Sequence, residues 1–338
     1  LVCPAAGSDE LAGIKVWLGD GHGGWATEVG PTAREGYTDV VVADFNKDGH
    51  FDIGASGRGL RGALRVWLGD GAGGWSDLPP LEMGHFYALS TGDLNRDGNP
   101  DLVLANFDHG TVAVLKNQGD GMFEEPEVRS TGRLGTTAVA TGDFDGDDRP
   151  DLAFVAEIDY NVTTKAQIEA AETVWVQFNR GESWELSTKG LPRNHIADVI
   201  RPADVDSDGR SEIVLSTNTL GMRFLVFSYS DSDGWQAGEH RGVLSAAFQY
   251  DVEPAGDELF ALISGEFNLA SQPIHLIYID ENNQIRTNVI LHKHRVTPLL
   301  YGERNVWVLV FAENALDLTA GLTAVPIPGH TPGQIGLL

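Results

Sequence analysis

Asp93 to Asp101 reads D-L-N-R-D-G-N-P-D, with three aspartates and two asparagines in nine residues. Charge repulsion alone would open such a segment, yet it recurs. Asp44–Asp52 is D-F-N-K-D-G-H-F-D, Asp143–Asp151 is D-F-D-G-D-D-R-P-D, and Asp204–Glu212 is D-V-D-S-D-G-R-S-E. The nonamers start at 44, 93, 143 and 204, so successive starts lie 49, 50 and 61 residues apart. A fixed period of this size is the mark of a repeat architecture.

A second element keeps the same phase. Leu64–Trp75 reads L-R-V-W-L-G-D-G-A-G-G-W, and Ile14–Trp25 reads I-K-V-W-L-G-D-G-H-G-G-W. Val112–Phe123, Val174–Trp184 and Phe224–Trp235 are looser copies. Leu64, Val66 and Leu68 alternate as a half-buried strand does. Gly-Asp-Gly supplies the positive backbone angles of a tight hairpin. Each repeat therefore reads strand, acidic loop, strand, loop, strand, Gly-rich turn, strand. Four short strands in each of several ~50-residue repeats predict an all-β chain, a β-propeller of four-stranded blades.

Leu1–Gly21 aligns with Ile53–Gly71, so the chain enters at the second strand of a blade. A late C-terminal strand is expected to pair there and close the ring. Phases at 1–30 and near residues 37, 86, 136, 197, 245 and 295 count seven blades. Six result if the last phase and the N-terminal piece are one blade. The reading is a single propeller domain over 1–338, with clear repeats over 1–240 and degenerate blades over 241–338.

Composition narrows the function. Of 338 residues, 42% are hydrophobic, ample for a core, and the formal net charge is −26. So acidic a chain is not expected to bind nucleic acid, which requires clustered Lys and Arg. No apolar run approaches the ~18 residues of a membrane helix, so membrane insertion is not expected. Cys3 is the only cysteine, which excludes an intrachain disulfide. The first residue is not Met, and a processed or truncated N-terminus is expected.

Within a nonamer, oxygen-bearing side chains stand at positions 1, 3, 5 and 9, and position 6 is Gly in three of four copies. Hard calcium takes six to eight oxygens, and a tightly turned loop of alternating oxygen side chains supplies them. The expected ligands are Asp44, Asn46, Asp48 and Asp52; Asp93, Asn95, Asp97 and Asp101; Asp143, Asp145, Asp147 and Asp151; Asp204, Asp206, Asp208 and Glu212. The backbone carbonyls at position 7, from His50, Asn99, Arg149 and Arg210, complete each set. Four calcium ions, two charges each, would move the formal charge from −26 to −18. A helix-loop-helix calcium hand is excluded because Asp101-Leu-Val-Leu re-enters a strand at once. The segment from Asp251 keeps the loop's outline, but Ala255 and Leu259 replace ligands, so no metal is expected there.

T-G-D-L-N-R-D-G-N-P-D-L-V-L-A-N and V-L-K-N-Q-G-D-G-M-F resemble the FG-GAP/VCBS repeat family, over residues 1–240. The resemblance implies an integrin α-subunit-like or secreted bacterial propeller, calcium on the loops between strands 1 and 2, and an extracellular or cell-surface setting. It does not imply one activity.

Acidic loops and Gly-rich turns fall on one face of such a disc. The opposite face collects Arg34, Tyr37, Arg58, Arg61, His85, Phe86, Tyr87, His109, Arg133, Arg193, His195 and Arg241. Arginine forks and aromatic platforms suit an anionic or glycan ligand, or a protein one. The insertion 157–173 would stand on that face, with helix-forming composition over 166–172. Trp25, Trp75, Trp184 and Trp235 open outer strands and are read as packing residues.

No nucleophile elbow, phosphate loop or thiol site is present. His292 and His294 alternate, as two ligands on one strand would. Pro326–Leu338 resembles the Gly-His-Thr segment of metallo-β-lactamase-fold hydrolases, but the accompanying H-x-H-x-D-H cluster is missing, and the tail is read as the closing strand. The functional expectation is a non-catalytic binding, adhesion or assembly module. A polysaccharide-active enzyme and a structural subunit of a surface layer or filament are the alternatives.

Overall fold

A computed structural model describes residues 2–5, 13–19, 25–28, 30–31, 37–57, 63–82, 86–131, 135–156, 164, 166, 172–193, 197–204, 208–217, 224–237, 252–254, 259–262, 274–279, 285–292, 295–296, 316–318 and 322–324. The repeat becomes a row of antiparallel sheets. The first holds β1 (Val2–Ala5), β2 (Gly13–Gly19) and β3 (Trp25–Glu28), in that order. The second holds β4 (Tyr37–Ala43), β5 (Asp52–Gly57), β6 (Ala63–Gly69) and β7 (Trp75–Asp77). A short β8 (Leu81–Glu82) pairs with the far end of β6. Pro79 and Pro80 fall between β7 and β8; proline cannot donate to a ladder, so the outer strand breaks there.

The next three sheets follow the plan most regularly. They contain β9 (Phe86–Gly92), β10 (Asp101–Asn106), β11 (Thr111–Leu115) and β12 (Glu127–Ser130); β13 (Thr136–Gly142), β14 (Asp151–Ala156), β15 (Val174–Asn179) and β16 (Trp184–Ser187); and β17 (Ala197–Ala203), β18 (Glu212–Thr217), β19 (Phe224–Ser230) and β20 (Gly234–Ala237). A five-stranded sheet follows, of β21 (Val252–Pro254), β22 (Leu259–Leu262), β23 (Ile274–Ile279), β24 (Ile285–His292) and β25 (Arg295–Val296). Finally β26 (Leu316–Leu318) pairs with β27 (Leu322–Ala324).

First strands of successive sheets pack side by side: β4 on β9, β9 on β13, β13 on β17, β17 on β21. That is the radial arrangement of propeller blades. Second strands also touch the next first strand, as β10 touches β13 and β14 touches β17. β1 touches β4 in the same way, which places the N-terminal sheet as a blade entered at its second strand. The strand expected to close the ring from the C-terminus, over Pro326–Leu338, falls outside the described residues.

Cores form between blades. Val103, Ala105, Val112 and Val114 of one blade pack with Val139, Leu152 and Phe154 of the next. The same pattern joins Phe144, Phe178 and Val176 to Ile213, Phe227 and Trp235. Three of the outer-strand tryptophans fit this role, while the side chain of Trp25 lies outside the described residues. Trp235 is fully buried, while Trp75 and Trp184 are partly buried against blade cores.

The later phases depart from expectation. Val252–Pro254 is a strand, so the segment from Asp251 is no nine-residue loop. Arg295–Val296, near the phase expected for a seventh blade, pairs with β24 as a fifth strand. His292 ends β24 and pairs with Arg295, while His294 lies outside the described residues. Pro326–Leu338 lies outside the described residues.

Candidate metal loops and the opposite face

Three acidic loops are described in full, at 44–51, 93–100 and 143–150, each joining the first strand of its blade to the second. The position-1 carboxylate holds the loop's shape. Asp44 accepts the N–H groups of Asp48 and Gly49 at 3.2 and 2.9 Å. Asp93 accepts those of Asp97 and Gly98 at 3.0 and 2.8 Å. Asp143 accepts those of Asp147 and Asp148 at 3.1 and 2.8 Å. Asp204 repeats the pair with Asp208 and Gly209 at 3.2 and 3.0 Å. The position-5 aspartate in turn accepts the position-7 N–H, as Asp97 does from Asn99 at 2.8 Å and Asp208 from Arg210 at 2.8 Å. Aspartates bonding a backbone two residues on are the usual aspartate turn.

Two backbone positions in each of the three fully described loops are left-handed, and position 6 is so in the fourth as well. At position 6, φ is 87° for Gly49, 82° for Gly98 and 91° for Gly209. At position 4, Lys47 and Arg96 both have φ of 60°. The third loop exchanges the two roles. Gly146 (φ 79°) takes position 4, and Asp148 (φ 62°) takes position 6. Asp tolerates this region better than most residues, which is why the loop survives without the usual glycine.

The ninth residue does something the spacing did not reveal. Asp52, Asp101 and Asp151 are fully buried, and each carboxylate bridges two backbone amides. Asp101 accepts Leu94 N–H at 3.0 Å and Asn117 N–H at 2.8 Å. Asp151 accepts Phe144 N–H at 2.9 Å and Asn179 N–H at 2.7 Å. Asp52 accepts Phe45 N–H at 2.7 Å and Gly69 N–H at 2.8 Å. The acid thus ties position 2 of the loop to the end of the third strand. Burial raises all three pKa values despite these bonds, Asp101 to about 6 and Asp151 to about 7. Exposed Asp48 is shifted the other way, lowered chiefly by the Asn46 amide.

Position 7 packs over the Gly-rich turn of the same blade. A β-carbon on Gly71 would come within 2.3 Å of the His50 ring, and one on Gly119 within 2.8 Å of Asn99 Oδ1. Acidic loop and turn therefore share one face, as expected from the strand order.

The donor set fits a hard cation. One carboxylate oxygen each of Asp143, Asp145 and Asp151 lies within 4.8 Å of the others. Each Asp151 oxygen that accepts an N–H keeps a further lone pair for an ion. Calcium there would neutralise buried carboxylates and cross-link a loop to its strand. Asp206 lies outside the described residues, and Glu212 is buried at the ninth position of its loop.

The opposite face is only partly described. Arg34, Arg58, Arg61, His85, Arg133, His195 and Arg241 lie outside the described residues. Tyr37 is a correction: it is 1% exposed, its ring edge-on to Trp67 at 5.6 Å, so it packs the core rather than offering a platform. The residue after it, Thr38, is a β-bulge. Bulges recur at the same place in the next three blades, at Tyr87, Thr137 and Asp198. Tyr87 therefore stands at a bulge on the end of its strand opposite the acidic loop. His109 is exposed in the turn between β10 and β11, its N–H donated to Asn106 Oδ1 at 3.1 Å. Arg193 lies 3.4 Å from Glu172 and bridges to it across the base of the insertion. Within the segment of helix-forming composition Ala166 is helical, while Glu172 at its end forms the bridge; most of 157–173 lies outside the described residues.

Sequence comparison now meets this geometry. The FG-GAP-like repeat family matches residues 93–154, which span the second loop, the third loop and the blade between them. The chain carries an FG-GAP-like repeat. A search of curated protein sequences returns no match. Among solved structures, the chain is similar to an Agrocybe aegerita lectin described as recognising non-reducing terminal N-acetylglucosamine. That match has TM-score 0.57 and 14% identity, covering 83% of this chain and 75% of the lectin. It is also similar to the periplasmic gluconolactonase of Pseudomonas aeruginosa, with TM-score 0.58 and 15% identity over 86% of this chain and 82% of that one. A Bacteroides uniformis protein described as a candidate 6-phosphogluconolactonase gives TM-score 0.61 and 14% identity over 88% and 83%. At such identities the likeness is one of fold, and the fold is a propeller.

Proposed function

We propose that this chain is an extracellular, calcium-stabilised propeller that acts as a non-catalytic binding or adhesion module for a glycan or other anionic ligand. The observation that carries the calcium part is the acidic loop built to one plan in four successive blades, with three carboxylate oxygens converging in the third. Calcium sites of ~10⁻⁴–10⁻³ M affinity are useful where calcium is plentiful, which supports a location outside the cell or on its surface. The ligand part rests on the face opposite the loops, where Tyr87 occupies a bulge and His109 is exposed. Bulges re-aim side chains and are frequent beside binding sites. The lectin of the same fold supports a glycan. The gluconolactonase of the same fold supports the alternative of an enzyme acting on a sugar acid derivative.

Thermal unfolding in EDTA, then in 2 mM calcium, tests the metal. Each site filled to about 20 times its Kd adds roughly 1.8 kcal/mol by mass action. An unchanged melting temperature together with a metal-free elemental analysis would remove the calcium reading. A glycan array including N-acetylglucosamine and acidic polysaccharides tests the ligand. Turnover of a lactone or an acidic polysaccharide would favour the enzyme, and silence on both assays would favour a structural subunit.

A further inference from the structure

The acidic loops share a backbone but not a neighbour. In each blade one residue of the Gly-rich turn follows the amide that bonds the buried ninth aspartate. It is Asp70 after Gly69, Gln118 after Asn117 and Arg180 after Asn179. Of these three only Arg180 is a cation.

Arg180 is committed to the third loop. Its Nη1 donates to Asp145 Oδ2 in a close contact and lies 3.5 Å from Asp147 Oδ2. Its Nε donates to Glu185 Oε2 at 2.9 Å, and its guanidinium lies over the Phe178 ring, 5.0 Å from the centroid. The Asp145 side chain is 5% exposed, so this pair is weakly screened by solvent. A second guanidinium, Arg210 of the next blade, lies against Gly146, where a β-carbon would come within 2.7 Å of its Nε. Asp145 and Asp147 are the third and fifth positions, two of the oxygens a calcium ion would need. Among the three fully described loops, the one that gathers the most carboxylates also has a guanidinium directly on two of them.

We propose that Arg180 is the resident counter-cation of the third loop and competes with calcium for Asp145 and Asp147, so that calcium enters there only by displacing the guanidinium toward Glu185. This rests on the calcium reading above and deepens it. The third site is then weaker than the first and second. Without calcium the third loop keeps its charge balance while the first two lose theirs, and the third blade is the least calcium-dependent part of the ring.

Calorimetric titration of the chelator-stripped full chain with calcium chloride tests this, using wild type, Arg180→Gln, Asp145→Asn and the double variant. Wild type should show tight sites and one weaker class. Asp145→Asn should delete the weaker class. Arg180→Gln should tighten it about tenfold, the equivalent of one charge-assisted hydrogen bond of ~1.4 kcal/mol no longer broken on binding. The double variant should match Asp145→Asn. Melting in EDTA adds a second readout: Arg180→Gln should lower the metal-free melting temperature, and Arg180→Lys should restore most of it. An Arg180→Gln isotherm within twofold of wild type, or a weaker one, overturns the proposal while leaving calcium binding intact. Absence of calcium heat in every variant overturns the calcium reading itself, a separate and recognisable outcome.

Discussion

Asn117 and Asn179 each reach one blade back with an amide, whereas Tyr229, at the same strand register on β19, reaches back with its ring. The Asn117 amide donates to Phe45 O at 2.8 Å and the Asn179 amide to Leu94 O at 2.6 Å. Both acceptors are the second residue of the preceding acidic loop. Behind β19 the corresponding loop residue is Phe144, and its ring meets Trp235 edge-on at 6.0 Å. Tyr229 completes the group, 5.3 Å from Trp235 and 4.7 Å from Phe178. Backbone bonds cross there as well, from Ser211 N–H to Asp143 O at 2.7 Å and from Trp235 N–H to Lys189 O at 2.9 Å. The same seam is therefore built twice around an Asn amide, with Phe45 also edge-on to Phe123 at 5.7 Å in the first, and once around a larger aromatic group without the amide. An amide seam tolerates one residue type, because geometry and donor count must both be met. An aromatic seam needs only buried area and accepts looser sequence. This explains why the repeat degrades to the eye in the fourth blade while the packing continues.

Several substitutions would break or sharpen that contrast. The largest effect is expected at the aromatic seam. Trp235 is 1% exposed and donates Nε1–H to Ser187 Oγ at 3.1 Å. Trp235→Ala should cost about 3–5 kcal/mol in urea unfolding, and a loss under 1 kcal/mol would mean the fourth blade is seated by something else.

The next test uses pH. Asp101 and Asp151 have folded pKa values of about 6 and 7, above the ordinary carboxylate value. The folded state therefore binds more protons, so this stability is fully present below the unfolded pKa and is lost as pH rises through 6 and 7. Metal-free protein should lose up to about 4 kcal/mol between pH 5 and pH 8. Saturating calcium, which binds the ionised form, should flatten or invert the slope. A metal-free urea midpoint that rises over this range would contradict the burial of the ninth aspartates.

The amide seam should respond more modestly. Asn179→Ala should cost about 1–3 kcal/mol through the carbonyl left without its donor. Asn117→Ala should cost less, because Phe45 O also accepts Gly121 N–H at 3.1 Å. Equal losses from the two would show that the carbonyl is not what the amide serves. The smallest effect is a gain. Asp148→Gly restores the glycine of the other loops at a left-handed position and should stabilise by about 0.5 kcal/mol, read as a small rise in melting temperature.

Much of this was legible in the residues, for reasons that differ by element. The acidic loops could be found because their turns need Asp and Gly at set offsets, which survive as a pattern. The propeller followed from the period. The ninth aspartate was recognised as a ligand candidate but not as a buried clamp, because its partners Asn117 and Asn179 stand 16 and 28 residues further on. Tyr37 was misplaced by one residue's worth of geometry. The bulge at Thr38 decides which neighbour points outward, and nothing in the alternation of side chains marks it.

What the sequence by itself determined is the local chemistry: where the chain turns, which loops carry oxygen ligands, and how often the unit repeats. These depend on residues within one turn or strand of each other. Only the tertiary structure decided which amide or ring closes each seam, which aspartates leave water, and that Arg180 faces Asp145 from 35 positions away. Those outcomes depend on one blade packing against another, and the period that announces the blades says nothing about which side chains meet between them.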